Sequence, residues 1–140
     1  MIPVKKAYGY VTRVKDGRVQ VLVFQHPVPE AGVQIPKGTV EPEEAPEEGV
    51  IREMKEETGL NHVQLNGILA EDLWKNEDGA VHHRYFYKLT VSDAPDEWVW
   101  NPAGGGEEEG LTFRFFWISA AEEGNLIRGH GGYLHLIFSH

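Results

Sequence analysis

The sequence predicts an α+β fold, read equally as a mixed-sheet sandwich, and three observations carry that prediction. Runs with strand character lie on both sides of one long segment with helical character. A second, shorter helix signal comes only near the end. No repeat and no second domain interrupts the 140 residues, so one domain over 1–140 is expected, long enough to bury a sizeable core.

The first strand is expected over residues 7–14 and the second over 18–25, with Asp16-Gly17 closing a hairpin between them. Pro27 and Pro29 open a loop, and Val33-Gln34-Ile35 leads briefly into Pro36-Lys37-Gly38. The long helix is expected over 44–58. Only Pro46 and Gly49 resist it, and a proline in the first turn gives up no intrahelical N–H bond. Gly59 supplies the stop. A strand with a bulge at Gly67 is expected over 63–74, a turn over 76–79, and a clear β-run over 81–91. Residues 92–110 are rich in Pro, Gly and acid and read as irregular. The last strand is expected over 111–118. Ser119-Ala120-Ala121-Glu122 then has the form of a capping box, which starts a short helix. Residues 133–138 are apolar enough to dock as a terminal helix, with a strand as the alternative.

Composition narrows the function classes. A formal charge of −9 argues against general nucleic-acid binding, which needs a basic surface. It leaves small phosphorylated substrates open, because a bound cation inverts the local sign. Cysteine is absent, which excludes thiol chemistry and is compatible with a reducing compartment; a cytoplasmic location is expected. The N-terminus lacks the apolar run of a signal peptide, and no run approaches the roughly 20 residues that span a bilayer.

The chemistry concentrates in the long helix and its approach. From Gly38 to Leu60 stand eight carboxylates (Glu41, Glu43, Glu44, Glu47, Glu48, Glu53, Glu56, Glu57) against Arg52 and Lys55. At about 100° per residue, Glu47, Val50, Ile51, Met54 and Thr58 gather on one side, and the apolar members make it the core face. Glu53, Glu56 and Glu57 stand beside that face and away from Arg52. At spacings i, i+3 and i+4 they lie about 5–6 Å apart and repel one another. Such a cluster becomes sensible when a hard divalent cation binds the carboxylate oxygens. An acidic solvated helix face is the simpler alternative.

The spacing of the whole segment decides against it. Gly38, five free positions, Glu44, seven free positions, Arg52-Glu53, Met54, Lys55, Glu56-Glu57, Thr58, Gly59 and Leu60 resemble the signature of the Nudix hydrolases at every fixed position. The resemblance implies an α/β/α sandwich around a mixed sheet, with the signature as a loop–helix–loop. It implies hydrolysis of a diphosphate linked to another moiety, by water adding at phosphorus, with Mg²⁺ or sometimes Mn²⁺. Glu53, Glu56 and Glu57 take the family's metal-ligand positions, with Glu56 either ligating or taking the proton from water. Arg52 is assigned to orienting carboxylates, with Glu44 as its partner. Gly38 would let the backbone approach the pyrophosphate or turn tightly. Lys37 could offer its ammonium to a substrate phosphate; Pro36-Lys37-Gly38 with Val40-Glu41 resembles a sub-pattern of the family's dinucleoside polyphosphate and RNA-cap hydrolases.

Outside the signature, the family often draws a base or extra ligand from a variable place. Glu107, Glu108 and Glu109, on a glycine-flanked loop, and Glu97 are the candidates here, against the reading of a solvated acidic loop. Trp98 and Trp100 lie in a polar stretch where one could stack on a nucleobase. His82, His83 and His130 show no metal-ligand spacing. Gly104-Gly105-Gly106 lacks the strand–helix context of a phosphate loop. The expectation is therefore a metal-dependent pyrophosphohydrolase of a small nucleotide substrate (dinucleoside polyphosphate or nucleoside triphosphate type), acting as a monomer or homodimer. The alternative is a nucleotide sensor of the same fold that does not cleave.

Overall fold

Strand β1 (Val4–Lys15) is the axis of an eight-stranded mixed sheet. A computed structural model describes residues 2–102, 110–127 and 129–138. Asp16 (φ 53°) and Gly17 (φ 77°) turn β1 into β2 (Arg18–Gln25) as a two-residue hairpin, both residues left-handed as such a turn requires. β1 also pairs in parallel with β6 (Val81–Thr90), while the other strand–strand pairings among the described residues are antiparallel. β5 (Gln64–Lys75) flanks β6 on one edge. On the other side β2 pairs with β8 (Phe113–Ile118), and β8 with β7 (Trp98–Trp100). Two short strands lie off this path: β3 (Val33–Gln34) on β2, and β4 (Lys37–Thr39) on the first half of β1.

Alternation along these strands divides the core into two layers. Ala7, Val11, Leu22, Phe24, Tyr85, Tyr87 and Leu89 face helix α1 (Pro46–Thr58), which contributes the fully buried Val50 and Met54. Tyr8, Tyr10, Val21, Val23 and Phe86 face the other way and are covered by Ile35, Leu134 and the one-turn helix α2 (His135–Phe138). Each fully buried aliphatic side chain contributes about 1.5–3 kcal/mol. A Cβ on Gly9 would overlap Met54 Sδ, so that glycine lets α1 lie close on β1. The result is helix, mixed sheet, helix, in agreement with the expected sandwich.

Several boundaries differ from expectation, each for a local reason. α1 begins at Pro46 rather than residue 44. Ala45 is the N-cap, its N–H donating to Glu48 Oε1 (2.8 Å), while Glu44 is held in a preceding turn by its N–H bond to the Glu41 carbonyl. The strand over 63–74 runs Gln64–Lys75, with register shifts on both sides of Gly67, whose φ is 150°. The stretch expected to be irregular contains β7, and the short helix after Ser119 is a 3-10 helix over Ala120–Asn125. Gly104-Gly105-Gly106 lies outside the described residues.

Candidate active site

The glutamates of α1 are organised by one guanidinium. Arg52 Nε donates to Glu44 Oε2 (3.1 Å) and Nη2 to Glu44 Oε1, so that Glu44 is gripped by two bonds. Nη1 donates to Glu53 Oε1 (2.7 Å) and Glu56 Oε2 (3.1 Å), and Nη2 also to the Thr39 carbonyl (3.0 Å). The expectation that Arg52 points away from Glu53 and Glu56 is therefore corrected. Glu56 is its i+4 neighbour, and the long flexible stem brings the charge back over Glu53. The pairing with Glu44 is as expected. The Arg52 hydrogen bonds, then the Glu41 N–H, hold the Glu44 carboxyl below the usual carboxylate range, and Glu44 pushes the guanidinium up.

Glu57 also departs from the expected face. It does not stand beside the core face but on it, 2 % exposed, in line with Gly49, Val50, Met54 and Thr58. Glu47, placed on that face by the sequence, is exposed and accepts a hydrogen bond from Tyr87 Oη (2.9 Å). Of the two roles expected of Gly38, the structure does not support the tight turn. Its φ is not positive, but a Cβ there would overlap Glu53 Cδ and Oε2. Absence of a side chain on β4 is what makes room for the Glu53 carboxylate.

This donor set suits a hard cation. Three carboxylates lie on adjacent positions of one helical stretch, Glu57 buried, Glu53 with 14 % and Glu56 with 30 % of its side chain exposed. Gly38 keeps open the space into which Glu53 projects. Among the described residues the three do not converge in ligand geometry, and Arg52 Nη1 bridges Glu53 and Glu56.

The C-terminal end of α1 is held by the two tryptophans that the sequence offered for base stacking. Trp98 Nε1 donates to the Thr58 carbonyl (2.8 Å) and its ring stacks on Phe115; Trp100 Nε1 donates to the Glu56 carbonyl (2.8 Å). Both satisfy carbonyls that a helix end leaves without intrahelical partners. Gly59 ends the helix at φ 78°, with the Trp100 ring 2.7 Å from where its Cβ would stand.

Lys37 lies elsewhere. It stands opposite Tyr8 in the β1–β4 register, whereas Gly38 stands opposite Ala7, so the two neighbours face opposite sides of the sheet. Lys37 lines a cleft of about 780 Å³ on the face away from α1, with Tyr8, Trp74, His82, Arg84 and His130. Arg84 is fixed there by Asp72 (Nε–Oδ1 2.7 Å, Nη2–Oδ2 2.6 Å) and the Gly129 carbonyl (2.9 Å), with Trp74 beneath its guanidinium at 4.4 Å. Sequence reasoning passed over this cleft. Its walls come from residues far apart in the chain, and no local spacing marks them. Glu97 pairs with Arg114 (3.6 Å). Glu107, Glu108 and Glu109 lie outside the described residues.

Fold and carboxylate helix together fit a hydrolase of phosphoric anhydrides. The family pattern described as NUDIX domain matches residues 4–136, and the chain belongs to the Nudix family, as a Nudix-type pyrophosphohydrolase. Similar solved structures include a C. elegans Ap4A hydrolase in a binary complex, at 18 % identity and TM-score 0.72, over 96 % of this chain and 94 % of that one. A Nudix-family hydrolase from Clostridium perfringens is similar at 20 % identity and TM-score 0.63, over 94 % and 93 %. The NUDIX domain of Shewanella oneidensis NrtR, in complex with ADP ribose, matches at 15 % identity and TM-score 0.63, over 98 % and 85 %. No curated protein matches the chain significantly in sequence. Among the described residues no helix is long and apolar enough to cross a membrane.

Proposed function

We propose that the chain, acting as one domain, is a divalent-cation-dependent hydrolase that cleaves a pyrophosphate bond in a nucleoside diphosphate linked to another moiety, of the dinucleoside polyphosphate or nucleoside triphosphate type. The observation that carries this is the set Glu53, Glu56 and Glu57 on one stretch of α1, with Gly38 clearing space for Glu53 and Glu57 buried against the sheet. These three would hold Mg²⁺ or Mn²⁺. When bound, such a cation weakens the repulsion between a polyphosphate and its attacking water and lowers the pKa of that water.

The chain's own residues do the rest. Arg52 positions Glu44, Glu53 and Glu56 and keeps their mutual repulsion from splaying them. Water adds at one phosphorus, the bridging P–O bond breaks, and the proton released goes to a carboxylate. Glu56, the most exposed of the three, is the candidate on the helix; Glu107, Glu108 and Glu109 are the candidates outside it. The Trp98 and Trp100 bonds keep the last turn of α1 fixed while this happens. A panel of dinucleoside polyphosphates, nucleoside triphosphates, nucleotide sugars and triphosphorylated RNA, with products identified in Mg²⁺, Mn²⁺ and chelator, tests the proposal. Binding of these nucleotides without cleavage in either metal would refute it in favour of a sensor.

A further inference from the structure

The cleft on the face away from α1 holds a side chain that the hydrolytic chemistry does not use. His130 is 8 % exposed and lines that cleft. Its backbone carbonyl accepts from Tyr10 Oη (2.7 Å), and its ring meets Tyr8 edge-on with centroids 5.3 Å apart. The Ile35 N–H donates to Nδ1 (3.1 Å), which leaves that nitrogen without a proton and places the proton of the neutral ring on Nε2. Among the described residues nothing accepts from Nε2. Burial first, then the charges of Lys37 and Arg84, push the imidazole down to about 3, so the ring stays neutral at any ordinary pH.

We propose that this cleft takes the nucleobase end of the substrate, with His130 Nε2–H as a fixed donor to a ring nitrogen or carbonyl of the base. The inference rests on the nucleotide reading given above. Three features favour a base over a bare polyphosphate. Lys37, Lys75 and Arg84 are matched in the lining by Glu30, Glu77 and Asp78, so the cleft offers no net positive charge. The guanidinium of Arg84 is already committed to Asp72. The walls include the rings of Trp74 and Tyr8. β4, which among the described residues pairs only with β1, presents Gly38 toward Glu53 on one side and Lys37 toward the cleft on the other. A substrate crossing that strand edge would join the two.

Calorimetric titration with AMP, GMP, CMP and UMP, which contain no anhydride, and with inorganic pyrophosphate separates the two ends. At least one mononucleotide should bind the wild type. His130→Asn keeps an acceptor for the Ile35 N–H but loses the cleft donor, and should weaken that nucleotide about tenfold. His130→Gln carries an amide to the Nε2 position and should recover most of the affinity, even where its melting temperature is lower. Neither change should alter pyrophosphate binding. Wild-type protein gives a readout that needs no variant: the His130 Nε2–H resonance in a ¹⁵N-correlated spectrum should move on adding the nucleotide and not on adding pyrophosphate. The proposal is overturned if no mononucleotide binds, if His130→Asn binds like wild type, if both ligands weaken alike, or if the resonance stays in place. Anhydride cleavage without mononucleotide binding removes this inference alone; mononucleotide binding without cleavage removes only the hydrolase.

Discussion

Replacing Gly38 with alanine tests the placement of Glu53 directly. The added Cβ would occupy the space of Glu53 Cδ and Oε2, so one of two things must give. If the carboxylate stays, the overpacking costs about 1–3 kcal/mol. If it swings away, it gives up its 2.7 Å bond to Arg52 Nη1, a charge-assisted bond worth about 1.5–3 kcal/mol. Either route lowers the melting temperature by roughly 3–12 °C for a domain of this size. Turnover should fall about 10²-fold, because a displacement of the order of 1 Å suffices for that loss. Gly9→Ala is the control. Its nearest contacts are the flexible end of Met54 and Leu89 Cδ1, with no glutamate among them, so it should shift the melting curve and lower kcat far less than Gly38→Ala does. Wild-type kcat and melting temperature in Gly38→Ala would refute the idea that this glycine exists to admit Glu53.

Trp98→Phe keeps the stack on Phe115 but removes the donor to the buried Thr58 carbonyl, and should destabilise the fold by about 1–3 kcal/mol in chemical denaturation. Trp100→Phe, at a position 36 % exposed, should cost only about 0.5–1.5 kcal/mol; the reverse order would contradict the capping role. His130 falls from its ordinary value of 6.5 to about 3, so between those pH values the unfolded chain binds a proton that the folded chain refuses. Its contribution is complete above pH 6.5 and is lost as pH falls toward 3. The melting temperature of wild type should therefore drop more steeply with acid than that of His130→Asn, and equal slopes would contradict this. Single glutamine substitutions at Glu107, Glu108 and Glu109 distinguish a base on that stretch, worth about 10²–10⁴ in rate, from solvated charge, whose loss leaves turnover unchanged and returns the role to Glu56.

Local signals carried far in this chain, and non-local ones did not. Asp16-Gly17 announces its hairpin because only left-handed residues close it. Pro46 and Gly59 bracket α1. The phase of that helix was less legible. The apolar residues permit a range of rotations; in the fold Glu57 is buried on the core face, while Glu47 stays exposed and meets the sheet only through Tyr87 Oη. β7 hides in an acidic, proline-rich stretch because its support is tertiary, two indoles donating to the end of α1. The side on which Lys37 emerges depends on pairing with β1, invisible in a three-residue strand beside Pro36. His130 is recognisable only through Ile35 and Tyr10, both distant in sequence.

The most direct measurement is anhydride cleavage by wild type and Glu57→Gln across a Mg²⁺ titration, with the melting temperature recorded at each point. Glutamine is nearly isosteric with Glu57, which is 2 % exposed, so the variant should fold but lose the charge needed to hold a cation. Wild type should cleave only with metal and melt at higher temperature as Mg²⁺ binds the folded form. Glu57→Gln should remain folded, show little rise in melting temperature and lose most turnover. Wild-type rates from Glu57→Gln at saturating Mg²⁺, or cleavage by wild type in chelator, would contradict a cation site built on α1.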